Sequence, residues 1–332
     1  MNVMVTGGAG FIGSHLVDAL LERGHAVSVL DDFSTGKEEN LHAALRNGAT
    51  IFRANVREAR EVADAVSAFR PAVIFHLAAQ INVRSSVTDA GLDAGTNIVG
   101  TINVLDAARE AGAAVINIST GGAIYGDTDI VPTPESVQAL PAAPYGQSKF
   151  CAERYVGLYG RLHGVEAATA RFANVYGPRQ DPRGEAGVIA IYCGLLRDGK
   201  RPVVYGTGRQ TRDYVYVGDV VAGLLALLDH PEARGEYNIG TGRESSVLDL
   251  VEALAPHADG DFSPEFADAR PGEIERSCLD VTRAREALGW IAQVELAEGL
   301  EHTMAWASSR RAELDLPVSV GGDPQSAVLA PS

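Results

Sequence analysis

Tyr145 and Lys149 stand four residues apart in the run Pro144-Tyr145-Gly146-Gln147-Ser148-Lys149. Proline is favoured in the first turn of a helix, so Pro144 reads as a helix start. Residues four apart share a helix face, which points the phenol and the ammonium the same way. A phenol ionises near pH 10, and an adjacent cation and the positive helix N-terminus both favour its anion, so Tyr145 is expected to act as a base near neutrality. The chain has ten Tyr but only three Lys, at positions 37, 149 and 200. One such spacing also arises as an ordinary surface pair, so the rest of the chain has to decide.

A second constellation stands at the start. Val3-Met4-Val5-Thr6 is a short β-rich run, followed by Gly7-Gly8-Ala9-Gly10-Phe11-Ile12-Gly13 and a helical pattern through Leu16, Leu20 and Leu21. Strand, glycine loop, helix and an acid about 20 residues further on are the context of a dinucleotide-binding turn. Gly7, Gly10 and Gly13 would let the backbone approach a pyrophosphate, and the helix start at Phe11 and Ile12 would meet its charge. Asp31, with Asp32 beside it, ends the second strand and would bind the adenosine ribose. A carboxylate there repels a 2′-phosphate, which favours NAD over NADP. The bland alternative is a tight strand–helix turn.

The elements that would carry these residues follow from periodicity. Strands are read at 26–30, 50–52, 72–77, 114–118 and 166–171, and helices at about 58–69, 97–111 and 144–163. Apolar, β-branched strands alternating with helices predict α/β architecture, a doubly wound parallel sheet with helices on both faces. Near Asn174 the regularity breaks into Pro-, Gly- and Arg-rich sequence, with helices near 187–197 and 217–228. This predicts a smaller, irregular α/β lobe from which the chain crosses back. The residues from about Leu314 show no periodicity and read as a disordered tail without chemistry.

Composition excludes several classes. The 332 residues suffice for one large domain or two lobes. A formal charge of −15 argues against nucleic acid or an anionic membrane as partner. Cys151, Cys193 and Cys278 have neither paired nor metal-ligand spacing, which suits a reducing cytoplasm. The eight His show no ligand spacing, so no metal is expected. His76 reads as structural and Cys151 as packing. The start shows no signal peptide, and no apolar run approaches membrane-spanning length.

Further motifs stand in order: His76-Leu77-Ala78-Ala79-Gln80, Asn97-Ile98-Val99-Gly100-Thr101, Ser119-Thr120-Gly121-Gly122-Ala123-Ile124-Tyr125-Gly126, Arg171-Phe172-Ala173-Asn174-Val175-Tyr176-Gly177-Pro178, Arg212-Asp213-Tyr214-Val215-Tyr216-Val217, Tyr237-Asn238-Ile239-Gly240 and Arg270-Pro271-Gly272-Glu273. With Tyr145-x-x-x-Lys149 they make the chain, from Met1 to about Trp306, resemble the extended short-chain dehydrogenase/reductase family. Within its NAD-dependent epimerase/dehydratase branch, the resemblance is nearest to the UDP-hexose 4-epimerases.

The resemblance implies a Rossmann-type NAD-binding domain over 1–173, with return segments near 213–245, and a nucleotide-sugar-binding lobe over 174–310. It makes Tyr145 the proton-transfer residue and Lys149 the residue that holds the nicotinamide ribose and lowers the tyrosine's pKa. Asn55, where the family often has Asp, and Val56 would flank the adenine. Leu77, Ala78, Ala79, Gln80, Asn97 and Phe172 would line the cofactor. Asn174, Arg212 and Arg270 would hold the UDP diphosphate, a bidentate task that suits Arg. Val203 and Tyr205 would pack on the uracil, with Val188 also on the nucleotide. Counting back from Tyr125-Gly126, the family's catalytic hydroxyl falls on Gly121. Thr120 is therefore the expected hydroxyl, with the extra glycine taken up as a bulge, and Ser119 is the second candidate.

The same resemblance implies a 4-keto intermediate and NAD regenerated without net redox. Dehydratases of the branch carry Asp-Glu just after the threonine, where this chain has Gly121-Gly122-Ala123. Ser277 corresponds to a position that can hold a bulky Tyr, so N-acetyl sugars are expected to fit along with UDP-glucose and UDP-galactose. The alternatives are a UDP-glucuronate 4-epimerase, with Arg84, Arg179 or Arg183 meeting the C6 carboxylate, another nucleotide-sugar dehydratase or decarboxylase, and a non-catalytic NAD-binding sensor. A homodimer is implied through helices near 97–111 and 145–163.

Overall fold

The strands of the central sheet, apart from β3 at its edge, are buried runs, as a sheet covered by helices on both faces demands. The computed structural model describes residues 1–182, 187–258, 260–269 and 274–314, with side chains as far as 309. In chain order, β1 (Asn2–Thr6), α1 (Phe11–Glu22), β2 (Ala26–Asp31), α2 (His42–Arg46), β3 (Thr50–Arg53), α3 (Ala59–Phe69) and β4 (Val73–His76) come first. α4 (Val83–Thr88), α5 (Ala90–Ala94), a π turn (Gly95–Val99) and α6 (Gly100–Ala111) lead to β5 (Ala114–Thr120), α7 (Gly121–Ile124), α8 (Pro144–His163) and β6 (Ala167–Phe172). Then come β7 (Asn174–Tyr176), α9 (Val188–Arg197), β8 (Val203–Tyr205), β9 (Thr211–Arg212), β10 (Tyr214–Tyr216), α10 (Val217–Asp229) and β11 (Gly235–Ile239). β12 (Ser245–Ser246), α11 (Val247–Leu254), β13 (Glu265–Ala267), β14 (Arg276–Ser277), α12 (Thr282–Leu288) and α13 (Leu296–Leu314) complete the described chain. The tail expected from 314 onward lies outside the described residues, apart from Leu314 at the end of α13.

Seven parallel strands stand in the order β11-β6-β5-β4-β1-β2-β3. The chain moves from β1 towards β3, then jumps back to β4 on the other side of β1. The C-terminal ends of β1 and β4 therefore flank the topological switch point, where open α/β sheets bind ligands. Side chains alternate between the two faces. Val3 and Val5 join Leu16 and Leu20 of α1 and Leu224 of α10 in one layer, whereas Met4 joins Val62 of α3, Leu105 of α6 and Val156 of α8 in the other. Each such fully buried aliphatic contributes about 1.5–3 kcal/mol.

The smaller lobe has its own cluster, including Tyr176, Ile189, Tyr192, Val204, Leu250 and Leu300. Its strands pair in short sheets: β7 with β10, β8 with β13, and β9 between β12 and β14. Between those pieces the chain returns to the larger lobe, where α10 packs in the layer of α1 and β11 extends the sheet beside β6. Among the described residues no helix is long and apolar enough to cross a membrane, and the three cysteines are unpaired.

Candidate active site

At the switch point the loop after β1 runs against the loop after β4. A Cβ on Gly7, whose φ is +70°, would lie 2.7 Å from the Ala78 nitrogen, and one on Gly13 would lie 2.2 Å from the Gly7 carbonyl oxygen. Glycine at both positions lets α1 begin this close to the sheet. Gly10 is the N-cap; no side chain caps the first turn formed by Phe11, Ile12 and Gly13, and no acidic residue stands in it. Its free N–H donors and the helix dipole suit an anion. Asp31, buried at the end of β2, accepts from the Ala9 N–H at 2.9 Å and the Phe33 N–H at 2.8 Å. Burial pushes its pKa up, and those two donors oppose the rise. Asp31 thus fastens the glycine loop and keeps lone pairs for a ribose. Asp32 accepts from Asn55 Nδ2 at 3.1 Å, and Asn55 Oδ1 accepts from the Arg57 N–H at 2.9 Å, so the Asn55 amide is engaged at both ends. This set of donors and acceptors fits a dinucleotide with two free ribose hydroxyls.

Tyr145 and Lys149 sit in the first turns of α8, which Pro144 opens. The helix end is capped from elsewhere: the Tyr145 N–H donates to Ser86 Oγ of α4 at 3.1 Å. Burial pushes the Tyr145 phenol up to about 12, the Thr120 hydroxyl within hydrogen-bonding reach pulls it back, and the Asp93 charge pushes it further up. Burial lowers Lys149 to about 8, opposed by Glu153 and Asp93. Burial therefore opposes the Tyr145 anion, and the positive charge of a bound nicotinamide ring would favour it.

Thr120 and Ser119 end β5. The strand stays in register with β6 through Ser119↔Arg171 and Thr120↔Phe172, so the expected bulge is absent. The extra glycine instead enters α7, whose N-cap is Thr120, accepting from the Ala123 N–H at 3.3 Å. Ser119 is buried and its hydroxyl lacks a hydrogen-bond partner. A Cβ on Gly121 would strike Leu279 at 2.6 Å, whereas one on Gly122 would lie 3.6 Å from Asn174 Oδ1 and 4.0 Å from Ser277 Oγ. The second lobe therefore brings Asn174 and Ser277 to the glycines beside Thr120.

Several residues expected to line the cofactor have their side chains engaged within the larger lobe. Asn97, on the π turn, is buried; its Nδ2 reaches Gln80 O at 3.0 Å, Asp93 Oδ1 at 3.2 Å and Ser148 Oγ at 3.0 Å, and its Oδ1 accepts from the Gln80 N–H. Val56 and Phe172 belong to the core layers. Leu77, Ala78, Ala79 and Gln80 form the half-buried loop after β4, tied to Thr6 through the Leu77 and Ala78 N–H groups. Sequence reasoning missed Ser86, Asp93 and the buried pair in which Glu153 accepts from Arg171 at 3.0 and 2.7 Å. Glu153, four residues beyond Lys149, carried the one signal that spacing offers.

Across the cleft, Asn174, Val188, Gln180 and Tyr214 line a cavity of about 200 Å³, and Gln180 Oε1 is buried there without a partner. Arg212 donates to its neighbour's carbonyl, Thr211 O, at 2.7 Å and stands beside Ser277 in the β9–β14 register. Val203 and Tyr205 lie on β8, outside that cavity's lining. A larger hollow of about 340 Å³ near Glu135 and Arg283 includes no expected site residue. Arg270, with its motif through Glu273, and Arg183 lie outside the described residues. Arg179 is committed to Asp18 of α1 at 2.7 Å, and Arg84 lies on α4.

The profile of the NAD dependent epimerase/dehydratase family matches residues 3–240. The chain is 45% identical to the UDP-glucose 4-epimerase of Mycolicibacterium smegmatis, over 92% of this chain and 97% of that protein. The crystal structure of a Thermotoga maritima UDP-glucose 4-epimerase with UDP-glucose is 42% identical, with a TM-score of 0.89 over 95% of this chain and all of the other. A Thermus thermophilus UDP-glucose 4-epimerase in complex with NAD is 40% identical, with a TM-score of 0.86 over 92% of this chain and 99% of the other.

Proposed function

The chain belongs to the NAD dependent epimerase/dehydratase family, an NAD-using isomerase of nucleotide sugars, and from that premise we propose that it interconverts the 4-epimers of a UDP-hexose. The observation that carries this reading is the Thr120 hydroxyl within hydrogen-bonding reach of the Tyr145 phenol, which stands one helical turn before Lys149 on α8. Bound NAD supplies a hydride acceptor and donor and a positive ring. The uncapped start of α1 would hold its pyrophosphate, and Asp31 its adenosine ribose. Tyr145 takes the proton of the sugar 4-hydroxyl, with Thr120 as relay, and returns it after the 4-keto sugar turns over. Lys149, as an ammonium, holds the nicotinamide ribose and favours the Tyr145 anion.

The diphosphate would lie at Asn174 and Arg212, with Val188 and Gln180 on the nucleotide. Gly122 and Ser277 leave space beside Thr120, which supports a pocket open to an N-acetyl group. No carboxylate follows Thr120, so dehydration lacks its acid/base pair, and the Arg179–Asp18 pair removes one candidate partner for a uronate. The unpaired cysteines suit the cytoplasm. The exposed Tyr155, Leu158 and Leu162 of α8, with Val99 on the π turn, support a homodimer through these helices.

The test is to incubate the purified protein with a panel of UDP-sugars and separate 4-epimers by chromatography. Turnover of both UDP-galactose and UDP-N-acetylgalactosamine is expected. Turnover of the first alone refutes the open pocket, and turnover of neither refutes hexose epimerisation.

A further inference from the structure

Two buried carboxylates act on the Lys149 ammonium, and they differ in one respect. Glu153 is neutralised by the bidentate Arg171 guanidinium. Asp93, on α5 and 1% exposed, accepts from two neutral amides, Gln80 Nε2 at 2.9 Å and Asn97 Nδ2 at 3.2 Å, and has no ion pair among the described residues. A buried charge without a counter-charge costs several kcal/mol, which two amide hydrogen bonds offset only in part. The Asp93 charge is felt at both Lys149 and Tyr145.

Asp93 also starts a chain of hydrogen bonds that ends on the catalytic helix. Asn97, four residues on, passes from Asp93 to Ser148 Oγ, and Ser148 Oγ donates to the Tyr145 carbonyl oxygen at 3.0 Å. The π turn carries Asn97 into this position, and Thr101 Oγ1 clamps its carbonyl at 2.6 Å. Such widened turns recur at functional sites because they re-aim a side chain.

We propose that Asp93 is a positioning residue of this site: its carboxylate fixes Asn97 and, through Asn97 and Ser148, the first turn of α8, and it supplies the unneutralised negative charge beside the Lys149 ammonium. The charged and titratable groups around Lys149 are Tyr145 and Glu153 on α8, Asp93 on α5, His76 at the end of β4, and Arg171 on β6 behind Glu153. α4 brings Arg84, and α6 brings Asp106 to the far end of α8, where Tyr159 donates to it. β5 and α7 bring no charged group. His76 is neutral, because burial holds it near a pKa of about 3. Asp93 is thus the carboxylate whose removal changes the field at Lys149 without stranding a buried guanidinium.

This inference rests on reading Tyr145 and Lys149 as the proton-transfer pair, but its test needs neither substrate nor cofactor. The chain has only three lysines, so lysine labelled with ¹³C at Cε gives three NMR resonances, assigned with Lys37→Arg and Lys200→Arg. Asp93→Asn keeps an oxygen for Gln80 and Asn97 and removes the charge. Lys149 is expected to titrate near pH 8 in the parent protein and about one unit lower in Asp93→Asn, with Lys37 and Lys200 unmoved. The alkaline limb of kcat moves down with it. In Ser148→Ala, which keeps the charge and cuts the chain, kcat falls while the Lys149 midpoint stays. An unmoved Lys149 in folded Asp93→Asn overturns the proposal. Asp93→Ser is the second variant, and loss of fold in both overturns it in favour of a purely structural role. If no UDP-sugar is turned over but Lys149 moves, the functional reading fails and the coupling of Asp93 to Lys149 stands.

Discussion

On one side of the cleft, polar side chains of the larger lobe are already matched by hydrogen bonds; on the other, among the described residues, a buried side-chain oxygen is left over. Asp31 and His76 end strands of six and four residues, Asn97 sits on the π turn, and each makes at least two hydrogen bonds inside the larger lobe. Across the cleft, Gln180 Oε1 is buried with no partner among the described residues, and strands β9, β12 and β14 have two residues each. Preorganisation lowers the cost of binding, so the difference teaches where specificity resides. The first lobe offers partners fixed in advance, whereas the cavity at Asn174 and Gln180 keeps a buried oxygen with no partner among the described residues.

The largest effect tests the prebuilt side. Tyr145→Phe should lower kcat about a thousandfold while cofactor binding, read by fluorescence titration, stays unchanged. Equal turnover would make the phenol a bystander and move the proton transfer to another group.

His76→Gln sharpens the same contrast through pH. His76 bridges Thr6 Oγ1 at 2.8 Å and Thr101 Oγ1 at 3.0 Å, and burial lowers its pKa from 6.5 to about 3. Between those values the unfolded chain binds more protons than the folded one. Stability is therefore full above the unfolded pKa and is lost as pH falls through the window, by on the order of 5 kcal/mol. Urea midpoints across that range should fall more steeply for the parent than for His76→Gln, and parallel curves would refute the assignment.

The smallest effect tests the open side. Arg212→Lys should raise KM for the UDP-sugar about tenfold, through loss of bidentate phosphate contact, and leave kcat and cofactor affinity unaltered. A fall in kcat alone would place Arg212 at the chemistry instead.

Local signals made much of this legible in the sequence. The glycine loop, the buried β-branched strands and the Pro144 helix start are each written in adjacent residues, and they led to the expectation of a doubly wound sheet. What was not legible depends on residues brought together by the tertiary fold. Ser86 caps a helix that starts far along the chain, 59 residues separating it from Tyr145. Asn97 reads as a cofactor contact by position in its motif, and its hydrogen bonds to Gln80, Asp93 and Ser148 through the π turn were not legible. The Thr120 offset suggested a bulge because counting cannot tell an extra strand residue from the first residue of a helix. The desolvation that opposes the Tyr145 anion was not legible either, because helix position and charge spacing are visible in sequence and burial is not.

The most direct test of the central claim follows the hydrogen at sugar C4. UDP-galactose carrying deuterium at C4 should yield UDP-glucose that retains the deuterium at C4, with no accumulation of reduced cofactor. Loss of the label to solvent, or steady build-up of reduced cofactor, would contradict epimerisation by removal and return of one hydride.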